Sequence, residues 1–341
     1  MNNLISFYKK TMATPGFSGL VILIVMVIIT ANLQSGFFTM PAVTNNLNAF
    51  VPLILISMGQ SMVMISGGID LSAGTALSLL TCVMARIMTA DDPMSGVIAV
   101  LVAIAVSVGI GALNGLGMGY FRLPPVVVTF ATSYIFLGAA LAIMPRPGGS
   151  CAEWVKGFYN FANIKDAPYW LVSFGKVMPP SLILLIVAAI AWLIIRNTRF
   201  ARYAYAMGSN ETCAFASGIN TPMTMTKACI INAFFILGAA LFFIAQNLSA
   251  DARMGDPFAL RSIAAAVVGG VALQGGRGSM FNAMIGAFTL SFVNKIIVFA
   301  SLPTAYQTLV SGVIVIIAIA ASSIYAVIGN RSMLKKAGAS V

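Results

Sequence analysis

Apolar residues in this chain neither alternate nor return on one helical face. They come as near-continuous runs of about 20 residues, each long enough as a helix to cross a hydrocarbon layer. The runs lie near 17–35, 47–66, 71–90, 95–120, 126–144, 179–195, 228–248, 262–275, 280–300 and 303–328, with Gly, Pro and charged residues between them. The third and eighth are the weakest, being rich in Gly, Ser and Ala, and the eighth is short for a crossing. Barrel strands would be about half as long and would alternate. Backbone groups in lipid must pair within their own segment, which leaves helices. The pattern predicts an all-α polytopic membrane protein with about ten transmembrane helices.

Composition agrees. Of 341 residues, 60% are hydrophobic and 8% charged. A soluble domain carries about a quarter charged residues, and this chain has too little polar surface to cover a water-facing core. Lys9 and Lys10 ahead of the first run resemble the start of a secretion signal. The run is too long for that and no A-x-A site follows, so it is read as a retained first span.

The net charge of +11 raises the question of nucleic acid. The bases form no stripe; they sit between apolar runs, as the positive-inside rule describes. Lys9 and Lys10, then Arg196, Arg199, Arg202 and Lys227 against Glu211, then Arg331, Lys335 and Lys336 mark three segments as cytoplasmic. Ten spans place all three on one side, with both termini inside. The segment 145–178 then lies outside, and its Trp154, Tyr159, Tyr169 and Trp170 are read as interfacial anchors rather than ligand contacts.

Little here suits catalysis. There is no His, and Cys82, Cys151, Cys213 and Cys229 lack metal-ligand spacing. Of the four, Cys151 alone falls in the segment assigned outside, so no disulfide is expected. No Ser or Cys has an evident base beside it. The string Ser173-Phe174-Gly175-Lys176 lacks the leading Gly and the Ser/Thr of a phosphate loop. No catalytic residue, metal site or cofactor is expected in this chain.

A duplication is present. GGIDLSAG at 67–74 and GGVALQGG at 269–276 share both leading Gly, the Leu and the final Gly. Asn114 through Leu123-Pro124 is echoed by Asn294 through Leu302-Pro303. Two echoes in the same order point to two related halves, about 45–145 and 228–328, within one membrane domain spanning 1–341. A Gly-Gly pair in an apolar region is either a close helix contact or a broken helix facing a path. Asp70 favours the second for the first copy, since a carboxylate at membrane depth is costly. It either caps a helix starting at Leu71 or takes part in the path or gate. Path or gate candidates are Gly67, Gly68, Asp70, Ser72, Gly74, Gly269, Gly270 and Gln274. Further polar candidates are Gln60, Ser61, Ser66, Asn114, Thr129, Asn232, Gln246, Asn247 and Asn294. For any one of these, a hydrogen bond between helices, worth below ~2 kcal/mol, is the competing reading.

The segment 196–227 is the longest polar stretch on the basic side. Ser209 or Asn210 can cap a short helix over 210–217, with Glu211 in its first turn and Gly218 at its end. It would present Ala214, Phe215 and Ala216. Such a helix makes sense as a knob for a partner, the other reading being an ordinary loop.

These pieces together resemble a known family. Ser66-Gly67-Gly68-Ile69-Asp70-Leu71-Ser72-x-Gly74, Tyr205 to Glu211, Ser217-Gly218-Ile219, and Ile263 to Gly270 continuing to Gly275-Gly276-Arg277-Gly278-Ser279 are similar, in order and spacing, to the permease subunits of monosaccharide ABC importers. The ribose, galactose and xylose permeases form that group, and the resemblance covers roughly 45–330. It implies a type II ABC importer-like permease in the bacterial inner membrane, dimeric with itself or a paralogue. It also implies a cytoplasmic ABC ATPase holding the ATP-Mg and an extracytoplasmic solute-binding protein. No nucleic acid is implied. Segment 208–219 carries over the ATPase-coupling role, with Gly208, Asn210, Glu211, Ala214, Gly218 and Ile219. An ion-coupled transporter or channel is the alternative, although acids inside the spans are scarce. One departure is Arg261, which stands where the family usually has an acid just ahead of the second Gly-Gly motif.

Overall fold

The computed structural model describes residues 17–164 and 168–300, together with a few isolated positions between 303 and 313. The expected span 303–328 and the echo at Leu302 lie outside these residues. Every other apolar run contains a helix over all or part of its length. In chain order they are α1 (Phe17–Leu33), α2 (Met40–Ile65), α3 (Ala73–Ile87), α4 (Pro93–Gly115), α5 (Pro125–Ile143), α6 (Tyr169–Val177), α7 (Pro180–Arg196), α8 (Arg199–Ser209), α9 (Glu211–Ala216), α10 (Thr221–Asn247), α11 (Phe258–Val268) and α12 (Met280–Phe299). A π-helical turn, Leu116–Tyr120, prolongs α4.

Among the described residues, α2, α4 with its π turn, α5, α10 and α12 are long and apolar enough to cross a bilayer. The pair α6–α7, bent by 67°, is long enough as one unit. Two expectations need correction. The run 71–90 becomes helical only from Ala73. The run 262–275 is not one helix: α11 ends at Val268, and positive-φ Gly270, Gly275, Gly276 and Gly278 hold the chain non-helical up to Ser279.

Helix starts follow local chemistry. Pro41, Pro93, Pro125, Pro180 and Pro222 stand in the first turns of their helices, where a missing N–H costs nothing. Asp92 caps α4 by accepting from Met94 N–H at 2.9 Å and Ser95 N–H at 3.2 Å.

α2 is the axis of the bundle. Every residue from Phe50 to Ser66 is buried, as expected of a helix apolar all round. Phe50 packs edge-on to Phe292 of α12, with centroids 4.9 Å apart. α4 approaches α10 through Gly111 and Gly115, where an added Cβ would stand 2.5 Å from the Cα of Ile230 and of Thr226. Small residues let membrane helices come this close. The outer faces of α4 and α5 expose Leu101, Val127, Phe130 and Ile135, an apolar surface suited to lipid.

Net positive charge is concentrated at one end. The end formed by α8, α9 and the start of α10 carries Arg122, Arg196, Arg199, Arg202, Lys227 and Arg277 against Glu211. The opposite end carries Asp91, Asp92, Glu153, Asp251 and Asp256 among bases such as Arg86, Arg146 and Arg253.

Candidate functional site

α2 and α11 stop in the same way. Beyond Ser66, Gly67 N–H donates to the Met64 carbonyl and Gly68 N–H to the Val63 carbonyl, both at 2.9 Å. Beyond Gly269, Gly270 N–H donates to Val267 and Val271 N–H to Ala266, again both at 2.9 Å. This pair of bonds is the Schellman cap, which needs a left-handed residue just past the helix. Gly67 and Gly270 supply it, with φ of 87° and 99°. The sequence echo aligns Gly67 with Gly269. The caps match Gly67 to Gly270, one residue later, because the helix end rather than the Gly pair sets the register.

The two breaks touch, and α8 ends against both. Gly276 N–H donates to the Ile65 carbonyl at 2.9 Å, joining the second break to the last residue of α2. The Tyr205 hydroxyl of α8 donates to the Gly278 carbonyl at 2.6 Å. At Gly208 an added Cβ would collide with the Ile65 carbonyl oxygen and stand 2.7 Å from Gly276 N. At Gly275 it would lie 3.0 Å from the Cα of both Gly208 and Gly67.

Asp70 stands in the first break. Because α3 begins at Ala73 with Ser72 as its N-cap, Asp70 does not cap a helix starting at Leu71. Its Oδ1 instead accepts from Ser72 N–H at 2.8 Å and from the Ser72 hydroxyl at 2.6 Å. Its Oδ2 accepts from Asn232 Nδ2 of α10 at 2.7 Å. Asn114 of α4 donates to Ser72 Oγ at 2.8 Å, and the Thr132 hydroxyl of α5 donates to Asn114 Oδ1 at 2.7 Å. The Thr129 hydroxyl reaches the Ile69 carbonyl at 3.1 Å. With its amide turned to match, Gln60 donates to the Asp70 carbonyl at 3.2 Å and accepts from Asp70 N–H at 3.0 Å. Asp70 is 3% exposed, and no Lys or Arg pairs with it among the described residues. A buried carboxylate is costly unless fully bonded; here neutral donors from three directions hold it. The network ties the first break to α4, α5 and α10.

The other path candidates scatter. Ser61 and Ser66 bond to carbonyls of their own helix. Gly74 packs against Gly255, whose N–H donates to Ser78 Oγ at 2.9 Å. Gln274 is exposed at the basic end, and Asn247 is exposed at the other. Arg261 lies half-buried in the first turn of α11. Sequence reasoning passed over Thr132, and also Asn46 and Asn48, whose buried side-chain oxygens have no partner among the described residues.

α9 is the expected short helix. Asn210 Oδ1 accepts from Cys213 N–H at 2.9 Å, and Glu211 occupies the first turn. Gly218, with φ of 81°, closes it by the same cap, its N–H donating to Phe215 and that of Ile219 to Ala214. One expectation is corrected: Ala214 is 4% exposed and belongs to a buried cluster with Val63, Met118 and Met225. A helix this short needs one anchoring face, and Ala214 supplies it. Phe215 and Ala216 are exposed, with the Arg122 guanidinium 6.0 Å above the Phe215 ring.

Comparison with known proteins adds to this. Residues 42–319 match the family model described as branched-chain amino acid transport system / permease component. The D-allose transport system permease protein AlsC of Escherichia coli K12 is 32% identical over 305 residues, covering 88% of this chain and 89% of that one. The ribose import permease protein RbsC of the same strain is 30% identical over 88% of this chain and 91% of its own. The autoinducer 2 import system permease protein LsrC of Photorhabdus laumondii is 27% identical over 82% and 80%. No solved structure matches the chain.

Proposed function

The chain belongs to the branched-chain amino acid transport system / permease component family, and from that premise we propose that it is the translocating subunit of an ATP-driven importer of small sugars or sugar-like solutes. The observation that carries this is α9: a capped, exposed helix at the basic end, seated on the body through Ala214. It suits docking of a separate motor, an ABC ATPase that binds the ATP-Mg. Gly208, Asn210, Glu211, Gly218 and Ile219 shape that surface, with Phe215 as its projecting side chain.

The relatives named for allose, ribose and autoinducer 2 import support a small polyhydroxylated cargo. Charge placement supports the orientation, with the basic end in the cytoplasm. The binding protein then docks at the acid-bearing end, and a second permease, itself or a paralogue, completes the pathway in the inner membrane. The paired caps support two related halves, and about ten spans are reached only by counting the shorter α1, α3 and α11 together with the run 303–328. In this reading Gly67, Gly68, Asp70, Ser72, Gly74, Gly269, Gly270 and Gln274 belong to the moving wall or gate.

Sugar uptake by cells carrying the intact system tests the proposal. Deleting the ATPase subunit should abolish uptake. Uptake that persists and follows the proton gradient would instead make this an ion-coupled carrier.

A further inference from the structure

The proposed function names a docking helix and a gate but leaves open how one moves the other. Three backbones meet where α8 ends: Gly208 of α8, Gly67 of the first break, and Gly275 with Gly276 of the second. At Gly67, Gly208 and Gly275 the nearest neighbours are all backbone atoms, and Gly276 also meets the Ser209 side chain. We propose that this glycine junction is the mechanical joint through which movement of α8 and α9 reaches both helix breaks at once. The inference rests on the motor-docking reading above.

Side chains between helices can absorb a shift by changing rotamer. Backbones in direct contact cannot, so a displacement of α8 passes to its neighbours with little loss. The contact also has direction. The Tyr205 hydroxyl holds the Gly278 carbonyl at 2.6 Å, so α8 can pull the second break as well as push it. The bond from Gly276 N–H to the Ile65 carbonyl passes the same motion to the end of α2. Asp70 follows Gly67 by three residues and grips α10 through Asn232. A shift at the joint therefore loads the buried network directly. α8 itself is seated on the bundle by Ala201, Ala204 and Met207, all buried, so its displacement bears on the body directly.

The test uses the whole complex of this chain, its ATPase and its binding protein in proteoliposomes, with three readouts. These are ATPase retained on the purified chain, ATP hydrolysed, and sugar moved per ATP. Gly208→Ala forces the joint apart. In the complexes that still hold ATPase, sugar moved per ATP should fall about tenfold, within the range one coupling element carries. Tyr205→Phe removes a single bond and adds no bulk. It should lower the same ratio about threefold, as the loss of one hydrogen bond would. Should Gly208→Ala not yield folded protein, Tyr205→Phe decides alone. An unchanged ratio in both variants overturns the joint. So does a loss of uptake that merely tracks loss of bound ATPase, with Tyr205→Phe normal. If the unmodified chain retains no ATPase, the docking reading itself fails and the joint falls with it.

Discussion

Asp70 is the residue on which the interior turns. Its carboxylate is buried, has no cation beside it among the described residues, and is held by Ser72 and Asn232. Leaving such a group short of a donor costs about 1–3 kcal/mol. Asn232→Leu should lower stability by about that amount, read as an earlier thermal transition of the purified chain. Asp70→Asn should cost less, because the Asn232 amide can turn to present its oxygen to the new amide. Equal stability of Asn232→Leu and the parent chain would show that the bond carries no load. The sequence singles out Asp70, Gln60, Asn114, Thr129 and Asn232 as candidates. It could not show that they meet, since the bonds to Asn114 and Asn232 span 42 and 162 positions. Thr132 escaped notice because a Thr inside an apolar run ordinarily bonds its own helix.

Among the elements, α9 was the most legible, because caps are local. Asn210, Glu211 and Gly218 each do what their residue types dictate. α8 was missed because 199–209 has no long apolar run. Its signal was the spacing of Ala201, Ala204 and Met207, a buried stripe at helical period. The start of α3 and the end of α11 were misplaced because Gly-rich sequence reads equally well as tight packing or as a break. Only the left-handed φ at Gly67 and Gly270 separates the two. The cap on α9 gives a prediction at this scale. Asn210→Ala should cost about 1 kcal/mol, which a six-residue helix cannot spare. Less ATPase should co-purify with it, and Asn210→Asp should restore the amount. Full retention with Asn210→Ala would place the docking surface elsewhere.

For the whole molecule, hydrophobic run length was enough to read the class and most of the helices. Charge placement suggests a sidedness, which calls for its own measurement. The four cysteines make sidedness measurable without mutation. Cys213 on α9 is exposed, whereas Cys82, Cys151 and Cys229 are buried. Burial also pushes the Cys151 thiol up to about 11, so it stays protonated and unreactive near neutral pH. A membrane-impermeant maleimide should label the chain, expressed without its ATPase, in inside-out vesicles and leave it unlabelled in right-side-out ones. The reverse pattern would invert the topology.

The central claim is that this chain moves its cargo with energy supplied by another subunit. Proteoliposomes holding the chain, its ATPase and its binding protein, supplied with labelled ribose or allose, test it most directly. Transport that requires MgATP on the α9 side and ignores an imposed proton gradient is the expected result. Transport by the chain alone, driven by that gradient and indifferent to ATP, would contradict the account.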